Sequence, residues 1–235
     1  MNPVSKNFNP KVTHPLFLMR RELFSAIRKH AHLLNGNLLD FGCGSKPYKS
    51  LFSVESYTGL DFEVTGHDHT NEEIDVFYDG KVIPFPDEQF DCVLCSEVVE
   101  HLFDLPAVVA EIHRVLKPGG KLLLTCPFVW IEHEVPYDYA RYTQYALRHM
   151  LEQGGFRVIR DEKRGLFIEA LTQLRVLYFS QVFEPCLVKF GLIGKIVARI
   201  IVAAMNLWGV AKSRLLPAKS NFYLSNAILS ERVIN

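Results

Sequence analysis

The sequence predicts a doubly wound α/β fold built on a mostly parallel sheet. Short apolar runs with the character of buried strands alternate with helical patterns from residue 37 to residue 161, and this alternation is typical of parallel sheets covered by helices. The chain has 235 residues, of which 49% are hydrophobic, and this is enough for one domain with a sizeable core. Its formal net charge is zero, so the composition gives no indication of nucleic-acid binding.

The elements follow in order along the chain. Residues 1–35 are expected to form an irregular arm with three prolines in its first 15 residues, then a helix from Leu16 to Leu34 that ends at the Asn-Gly pair 35–36. Residues 36–165 form the core, with helices expected at 105–116 and 143–153, where apolar residues recur at helical spacing. The predicted strands are 37–41, 56–60, 74–78, 90–95, 121–126, 156–161 and 221–233.

Residues 166–219 differ from the rest and are predicted to be a helical insertion before the last strand, which lies in 220–235. The insertion holds seven basic and two acidic residues, hence a net charge of +5, and 18 of the 25 residues in 187–211 are apolar. On a helix, Lys195, Arg199 and Asn206 fall within about 40° of one another and predict a narrow polar stripe. The whole chain, 1–235, is expected to be a single domain.

Three interpretations of this insertion remain open. It can form a lid or a homodimer interface that buries its apolar face against protein. It can lie on a membrane surface, which suits the basic excess and the aromatic residues. A membrane-spanning helix is the third interpretation, and Lys195 and Arg199 in the middle of the segment argue against it. The first two both predict an apolar acceptor or an apolar access route.

The loop DFGCGSKPY (40–48) after the first predicted strand restricts the kind of ligand. A phosphate-binding loop needs lysine directly after its second glycine, and the order Gly44-Ser45-Lys46 does not fit. A dinucleotide fingerprint needs a third glycine where this chain has Pro47. What remains is the pattern acidic-x-Gly-x-Gly, in which glycines let the backbone lie close to a ligand.

Four ordered motifs between residues 16 and 161 resemble those of class I S-adenosylmethionine-dependent methyltransferases of the type 11 kind. They are DFGCG (40–44), YTGLD (57–61), DVFYDGKVIPFPDEQFDCVLCSEVVEH (75–101) and VLKPGGKLLLTCP (115–127). In the last of these, Pro118, Gly119 and Gly120 predict a turn. The resemblance implies a Rossmann-like methyltransferase sheet of seven strands. It also implies S-adenosyl-L-methionine as the cofactor and S-adenosyl-L-homocysteine as the product.

The resemblance assigns cofactor contacts to residues at the ends of successive strands. Asp40 is expected to face the cationic sulfonium and ammonium groups, and Asp61 to accept hydrogen bonds from both ribose hydroxyls. Asp79 takes the position that meets the adenine amino group. The full predicted cofactor set is Asp40, Gly42, Gly44, Asp61, Asp79, Gly80, Cys95 and Ser96.

The acceptor side is expected in CPFVWIEHEVPYDYARYT (126–143), which follows the fifth predicted strand. His133 is the predicted general base, because an imidazole titrates near neutrality. The predicted substrate-binding residues are Trp130, Tyr137, Tyr139, Arg141 and Tyr142. For His101, in the E-x-x-E-H stretch, a structural or cofactor-shielding role is expected. No metal site is predicted, the nearest candidate being the polar run 67–69 (His-Asp-His).

The predicted function is methyl transfer to a small, apolar or lipid-linked acceptor, with oxygen slightly preferred over carbon. Two other classes stay open: a non-catalytic cofactor-binding or membrane-associated partner protein with the same fold, and a nicotinamide-dependent oxidoreductase. Five cysteines at irregular spacing and an N-terminus without an apolar signal core predict free thiols in the cytoplasm. A peripheral place at the inner membrane surface is the alternative location.

Overall fold

A seven-stranded sheet forms the centre of the fold. The computed structural model describes residues 8–63 and 72–234. Its strands are β1 Asn37–Phe41, β2 Ser56–Phe62, β3 Val76–Tyr78, β4 Phe90–Ser96, β5 Leu116–Pro127, β6 Phe156–Leu166 and β7 Tyr223–Arg232. They lie in the order β3-β2-β1-β4-β5-β7-β6, and the pairs β1–β2, β1–β4, β2–β3 and β4–β5 are parallel. The predicted doubly wound, mostly parallel sheet is confirmed.

Helices connect and extend the strands. They are α1 Phe17–His30, α2 Leu105–Val115, α3 Gln144–Gln153, α4 Phe167–Tyr178, α5 Glu184–Val188 and α6 Gly191–Leu215, with 3₁₀ turns at Ala31–Leu33, Lys49–Leu51 and Val99–His101 and a π turn at Phe179–Phe183. Side chains cap the starts of α2 and α3, because Asp104 accepts from the Ala107 N–H at 3.2 Å and Thr143 from the Ala146 N–H at 3.2 Å. The apolar face of α2 is buried against the sheet core.

The strand order reverses at β1, which lies between β2 and β4. Chain crossovers leave a crevice at the carboxyl ends of the strands at such a point, and open α/β sheets bind ligands there. Asp40 and Phe41 of β1 are in register with Gly59 and Leu60 of β2, so the loop after β1 and the end of β2 meet at the same edge.

The chain divides into two compact units. Within the described residues, the first unit comprises 26–162 and 226–234, and the second comprises 8–25 and 163–225. The predicted insertion, 166–219, therefore falls inside the second unit together with the N-terminal arm. The single-domain organisation predicted from the sequence stays a prediction.

In the second unit, α6 buries a face of small residues against its neighbours. The buried positions are Gly194, Ala198, Val202, Asn206 and Gly209. A Cβ added at Gly209 would lie 2.5 Å from the Thr172 Cγ2, so glycine permits the close approach of α4 and α6. The predicted polar stripe is wrong at one position, because Asn206 is fully buried. Its Nδ2 donates to the carbonyls of Val12 at 2.7 Å and His14 at 3.2 Å.

The opposite face of α6 is apolar and exposed. Its large exposed side chains are Leu192, Ile193, Ile196, Val197, Ile200, Leu207 and Trp208, and Phe190 precedes the helix. Among the described residues, α6 is the one helix whose length and composition suit a membrane span, with a mean hydropathy of 1.6 over its best window and only 28% of that window buried. The same features are found on helices that lie against a membrane.

Candidate active site

Asp40 provides a buried carboxyl group beneath the glycine loop. Its side chain is 3% exposed, and the Tyr57 hydroxyl donates to its Oδ2 at 2.5 Å. Burial raises the pKa of Asp40 to about 7, with the Tyr57 hydrogen bond acting in the opposite direction and the negative charge of Asp61 adding to the rise. A cation next to Asp40 would therefore favour its ionised form near neutral pH.

The glycine loop folds back onto the end of β2. The Gly42 and Cys43 N–H groups donate to the Leu60 carbonyl at 2.8 and 3.1 Å, and the Gly44 N–H donates to the Asp61 Oδ2 at 2.6 Å. Gly42 has a φ of 73°, and a Cβ there would lie 2.3 Å from the Val98 Cγ2. Both the backbone and the packing thus require glycine at this position.

Lys46 does not serve as a phosphate-binding lysine. The side chain of Lys46 is buried, and its Nζ pairs with the Asp75 Oδ2 at 2.7 Å. The same Asp75 oxygen accepts from the Gly59 N–H at 2.6 Å, so it ties the loop to β2. This pairing agrees with the mismatch to the phosphate-loop motif.

The remaining predicted cofactor residues lie at the ends of β3 and β4. Asp79 is exposed directly after β3 and accepts from the Lys81 N–H at 3.0 Å, while Gly80 has a φ of 86°. Ser96 ends β4 and accepts from the Thr125 hydroxyl at 3.1 Å. The Cys95 side chain is fully buried in the sheet core, which leaves only its backbone for a cofactor contact. Their cofactor roles stay predictions.

A polar cluster that sequence reasoning did not assemble follows β4 and β5. The buried Glu100 Oε1 lies 3.8 Å from the His101 Nε2 and 3.8 Å from the His133 Nε2, and the two imidazole rings contact edge to face with centroids 4.7 Å apart. Burial and the charge of Glu97 raise the pKa of Glu100 well above its usual range. The sequence signal was the adjacent Glu-His pair, but nothing local predicted that His133, 32 residues after His101, would meet it.

Asp138 and Arg141 support this cluster. Arg141 pairs with the Asp138 Oδ1 at 2.6 Å and its Nη groups also donate to the Ile131 and Ala140 carbonyls. The guanidinium lowers the pKa of Asp138 to about 2. Burial, together with His101, lowers the pKa of His133, so its ring is neutral at neutral pH. Most hydrogens of Arg141 are already committed, and its role as a substrate clamp stays a prediction.

The predicted aromatic residues differ in exposure and contacts. Tyr139 is exposed and its ring contacts Phe103 with centroids 5.5 Å apart, whereas Tyr137, Tyr142 and Trp130 are partly buried. The Tyr142 carbonyl accepts from the buried side chain of Asn226. Their substrate contacts stay predictions. The run 67–69, named above as the nearest metal candidate, lies outside the described residues.

The donors at this sheet edge suit a cationic nucleoside cofactor. Two buried carboxyl groups, Asp40 and Asp61, adjoin a glycine loop, and Asp79 follows at the next strand end. Carboxylates favour ammonium and sulfonium groups, ribose hydroxyls and an adenine amino group, whereas a pyrophosphate would be repelled. A doubly wound sheet with this acidic switch point defines a Rossmann-like, nucleoside-cofactor class of protein.

Comparisons with known proteins show which family the chain resembles. Residues 39–124 match the sequence profile of a family described as a methyltransferase domain. A relative named as a "probable S-adenosylmethionine-dependent methyltransferase" from Mycolicibacterium smegmatis is 32% identical over 173 residues, which cover 66% of this chain and 65% of the relative. A fatty-acid O-methyltransferase from the same organism is 30% identical over 159 residues, which cover 62% and 56%. The chain spans less than two thirds of the length of these relatives.

A solved structure adds support for the fold. An S-adenosylmethionine-dependent methyltransferase from Archaeoglobus fulgidus superposes with a TM-score of 0.56 and 16% identity, covering 96% of each chain. Other matched relatives are named as O- or C-methyltransferases of quinone, sterol and acyl-carrier-protein-linked substrates. These comparisons support a class I S-adenosylmethionine-dependent methyltransferase domain in this chain, with S-adenosyl-L-methionine rather than a nicotinamide dinucleotide as the cofactor.

Proposed function

We propose that this protein transfers the methyl group of S-adenosylmethionine to an oxygen atom of an apolar, lipid-linked acceptor at the surface of an anionic membrane. The observation that carries the proposal is the exposed apolar face of α6. Ile200 on this face is 62% exposed, and Leu192 and Ile193 are more exposed still. Patches of this kind on a soluble surface mark contacts with protein or membrane.

Charge favours the membrane over a second protein copy as the partner of this face. Lys195 and Arg199 are exposed on α6 beside the apolar residues, and Lys212 and Arg214 follow in its last turn. When basic residues flank an apolar face, the hydrocarbon stems of their side chains can lie along the membrane interface while their cationic groups face the lipid headgroups. Two facing copies would instead bring these cations together.

A shallow groove on the same face indicates how an acyl or prenyl chain could lie. It has a volume of about 400 Å³ and is lined by Thr13, Ile196, Arg199, Ile200, Ala203, Ala204 and Leu207. Its walls are almost entirely apolar, and Arg199 supplies a cation for an anionic headgroup. The name of the fatty-acid O-methyltransferase among the relatives supports an acceptor of this class.

In catalysis, this chain's own residues position the cofactor and the acceptor, and they exclude water from the site. Bound S-adenosylmethionine supplies an electrophilic methyl group on a sulfonium. Asp40 and Asp61 hold the cofactor, and the loop 128–142 supplies the polar groups that face an acceptor hydroxyl. Oxygen is the proposed acceptor atom because imidazole and carboxyl groups are gathered there and can assist loss of a hydroxyl proton. A cytoplasmic location at the inner membrane surface is part of the same proposal.

Flotation with liposomes tests the membrane part. The protein is expected to float with vesicles that contain anionic lipid at low salt and to remain behind at high salt, because screening weakens the contribution of Lys195 and Arg199. Ile200→Glu should reduce vesicle binding at least tenfold, since an inserted isoleucine contributes about 2 kcal/mol. Val82→Glu is the matched control, because Val82 is 64% exposed in the other unit and the charge change is the same.

Two results would contradict the proposal. The first is equal vesicle binding by the Ile200→Glu and Val82→Glu variants. The second is concentration-dependent self-association of the wild-type protein, without vesicles, that Ile200→Glu abolishes, because that result would assign the face to a homodimer.

A further inference from the structure

We propose that Glu100, His101 and His133 form a binding site for a divalent transition-metal ion of the zinc or iron(II) type. One oxygen of Glu100 and one nitrogen from each ring lie within 4.8 Å of one another. No metal site was predicted from the sequence, in which Glu100 and His101 are adjacent and His133 lies 32 residues after His101. The fold brings the three together at the carboxyl edge of the sheet.

The burial of the Glu100 carboxyl group without a hydrogen-bond partner from another residue is the observation that points to a ligand. Its side chain is 0% exposed, and within residues 8–63 and 72–234 neither of its carboxyl oxygens accepts a hydrogen bond from another residue. A buried carboxyl group without a donor is destabilising, so such groups are normally paired or bound to a metal. The His101 Nε2 and the His133 Nε2 each lie 3.8 Å from its Oε1, beyond hydrogen-bond distance.

The contacts of His101 leave its Nε2 free to accept a metal. Its Nδ1 lies 2.9 Å from the Tyr137 carbonyl oxygen. A carbonyl can only accept, so Nδ1 carries the proton and donates, and in the neutral ring Nε2 presents a lone pair. This lone pair is on the side of Glu100. An outer hydrogen bond of this kind orients most metal-binding histidines.

The second ring, His133, is oriented in the same way by a carboxylate. Its Nδ1 lies 3.4 Å from the Asp138 Oδ2, and the Arg141 Nη2 is also at 3.4 Å. Both hydrogens of that Nη2 are already donated, one to the Ile131 carbonyl at 2.9 Å and one to Asp138 at 2.7 Å. Metal binding selects the tautomer in which Nδ1 carries the proton, directed at the Asp138 Oδ2, and Nε2, 3.8 Å from the Glu100 Oε1, is unprotonated. A carboxylate–histidine–metal arrangement follows.

The donor set selects the type of ion. Two imidazole nitrogens with one carboxylate suit zinc and iron(II), whereas magnesium and calcium prefer oxygen ligands alone. Bonds of about 2.1 Å at tetrahedral angles put ligand atoms about 3.4 Å apart, so the 3.8 Å pairs need to move inward by only a fraction of an ångström. The Glu134 Oε2, 3.8 Å from the His101 Nε2 and partly exposed, is placed to provide a fourth ligand.

The role of the ion rests on the proposed function, although its binding does not. A divalent cation favours loss of a proton from a hydroxyl that it binds, and the proton goes to solvent as the oxygen–methyl bond forms and the sulfur–methyl bond breaks. His133 is then a metal ligand, and this role replaces the general-base role predicted from the sequence.

Metal binding is tested without cofactor, acceptor or vesicles, so its outcome is independent of the proposed function. Zn²⁺ binding to the whole chain is measured by competition with a chromophoric chelator, and Co²⁺ is used as a spectroscopic probe. The wild-type protein should bind one Zn²⁺, and Co²⁺ should give visible absorption bands of a site with nitrogen and oxygen ligands. Glu100→Gln and His133→Ala should each weaken Zn²⁺ binding at least a hundredfold.

Two matched control variants show whether a loss of Zn²⁺ affinity is specific to the proposed site. Glu132→Gln and His149→Ala change exposed residues of the same types and should leave Zn²⁺ affinity unchanged. Thermal melting without metal shows whether each variant folds. If Glu100→Gln does not fold, His133→Ala provides the test, because His133 lies on a partly exposed loop. Absence of Zn²⁺ binding by the wild-type protein, equal binding by a folded Glu100→Gln or His133→Ala variant, or a thiolate-to-cobalt absorption band would each overturn the proposal.

Discussion

Replacing Asp40 by asparagine should make the free energy of unfolding less dependent on pH. In the folded wild-type protein, burial holds the pKa of Asp40 at about 7, against an ordinary value of 3.8. Between these two values the folded state binds a proton that the unfolded state has lost, so stability falls as pH rises through this range. Asparagine keeps the shape and can still accept from the Tyr57 hydroxyl, but it does not titrate.

The magnitude follows from the two pKa values. The full shift corresponds to about 4 kcal/mol, which is present below pH 4 and lost above pH 7. Between pH 5 and pH 8 the wild-type protein should lose roughly 2 to 3 kcal/mol relative to Asp40→Asn. The neighbouring groups Asp61, Lys46 and Cys43 are common to both proteins, so their own titration largely cancels in the comparison.

Urea unfolding of both proteins at the two pH values, followed by far-ultraviolet circular dichroism, measures this difference. The expected result is that the free energy of unfolding of Asp40→Asn increases relative to that of the wild-type protein as pH rises. A stability difference between the two proteins that is the same at pH 5 and pH 8 would refute the reasoning, because it would mean that Asp40 does not change its protonation state there.

The other predictions concern the loop, the cofactor and the second unit. Gly42→Ala should destabilise the protein by more than about 1 kcal/mol in the same urea assay, since its Cβ would lie 2.3 Å from the Val98 Cγ2 at a φ of 73°; unchanged stability would contradict the loop packing. Asp61→Ala should weaken S-adenosylmethionine binding by at least about 1 kcal/mol in calorimetry, and an unchanged Kd would remove Asp61 from the site. Cofactor binding near pH 7 should release protons, seen as buffer-dependent heat, and Asp40→Asn should abolish most of that release. Asn206→Ala should lower the free energy of unfolding by about 1–3 kcal/mol, because the carbonyls of Val12 and His14 lose a buried donor; a neutral effect would contradict that contact.

Most of the sheet was predictable because its strands are short apolar runs bounded by glycine, proline and polar residues. The predicted first strand, 37–41, coincides with β1. β3 begins at Val76 instead of residue 74, since Asp75 is used to bind Lys46 and the Gly59 N–H. β6 runs on through residues 162–166, of which Glu162, Lys163 and Arg164 are charged; they gave no apolar signal because β6 is an edge strand.

The turn predicted at 118–120 illustrates a local signal that the sheet absorbs. Pro118, Gly119 and Gly120 lie inside β5, yet the pairing with β4 jumps from Leu116 to Lys121 across only two residues of β4. The residues between them therefore bulge out of the ladder. The turn chemistry was identified correctly, but its placement within a strand depends on a partner strand that sequence patterns do not specify.

The polar cluster could not be predicted for a different reason. Glu100, in the 3₁₀ turn after β4, meets His133 in the loop after β5 only because β4 and β5 are neighbours in the sheet. Local patterns identified His133 and the Glu100-His101 pair separately. Their convergence, and the orientation of both rings by Tyr137 and Asp138, are products of tertiary structure.

The most direct test of the central claim is a methyl-transfer assay with S-adenosylmethionine labelled in its methyl group. The protein is incubated with the separated membrane-lipid and soluble small-molecule fractions of bacterial cells, and Asp61→Ala is included as a binding-deficient control. We predict that label enters the organic-solvent-extractable lipid fraction in an Asp61-dependent manner, as an O-methyl group. Label that appears only in the water-soluble fraction, or in neither fraction although the cofactor binds, would contradict the account.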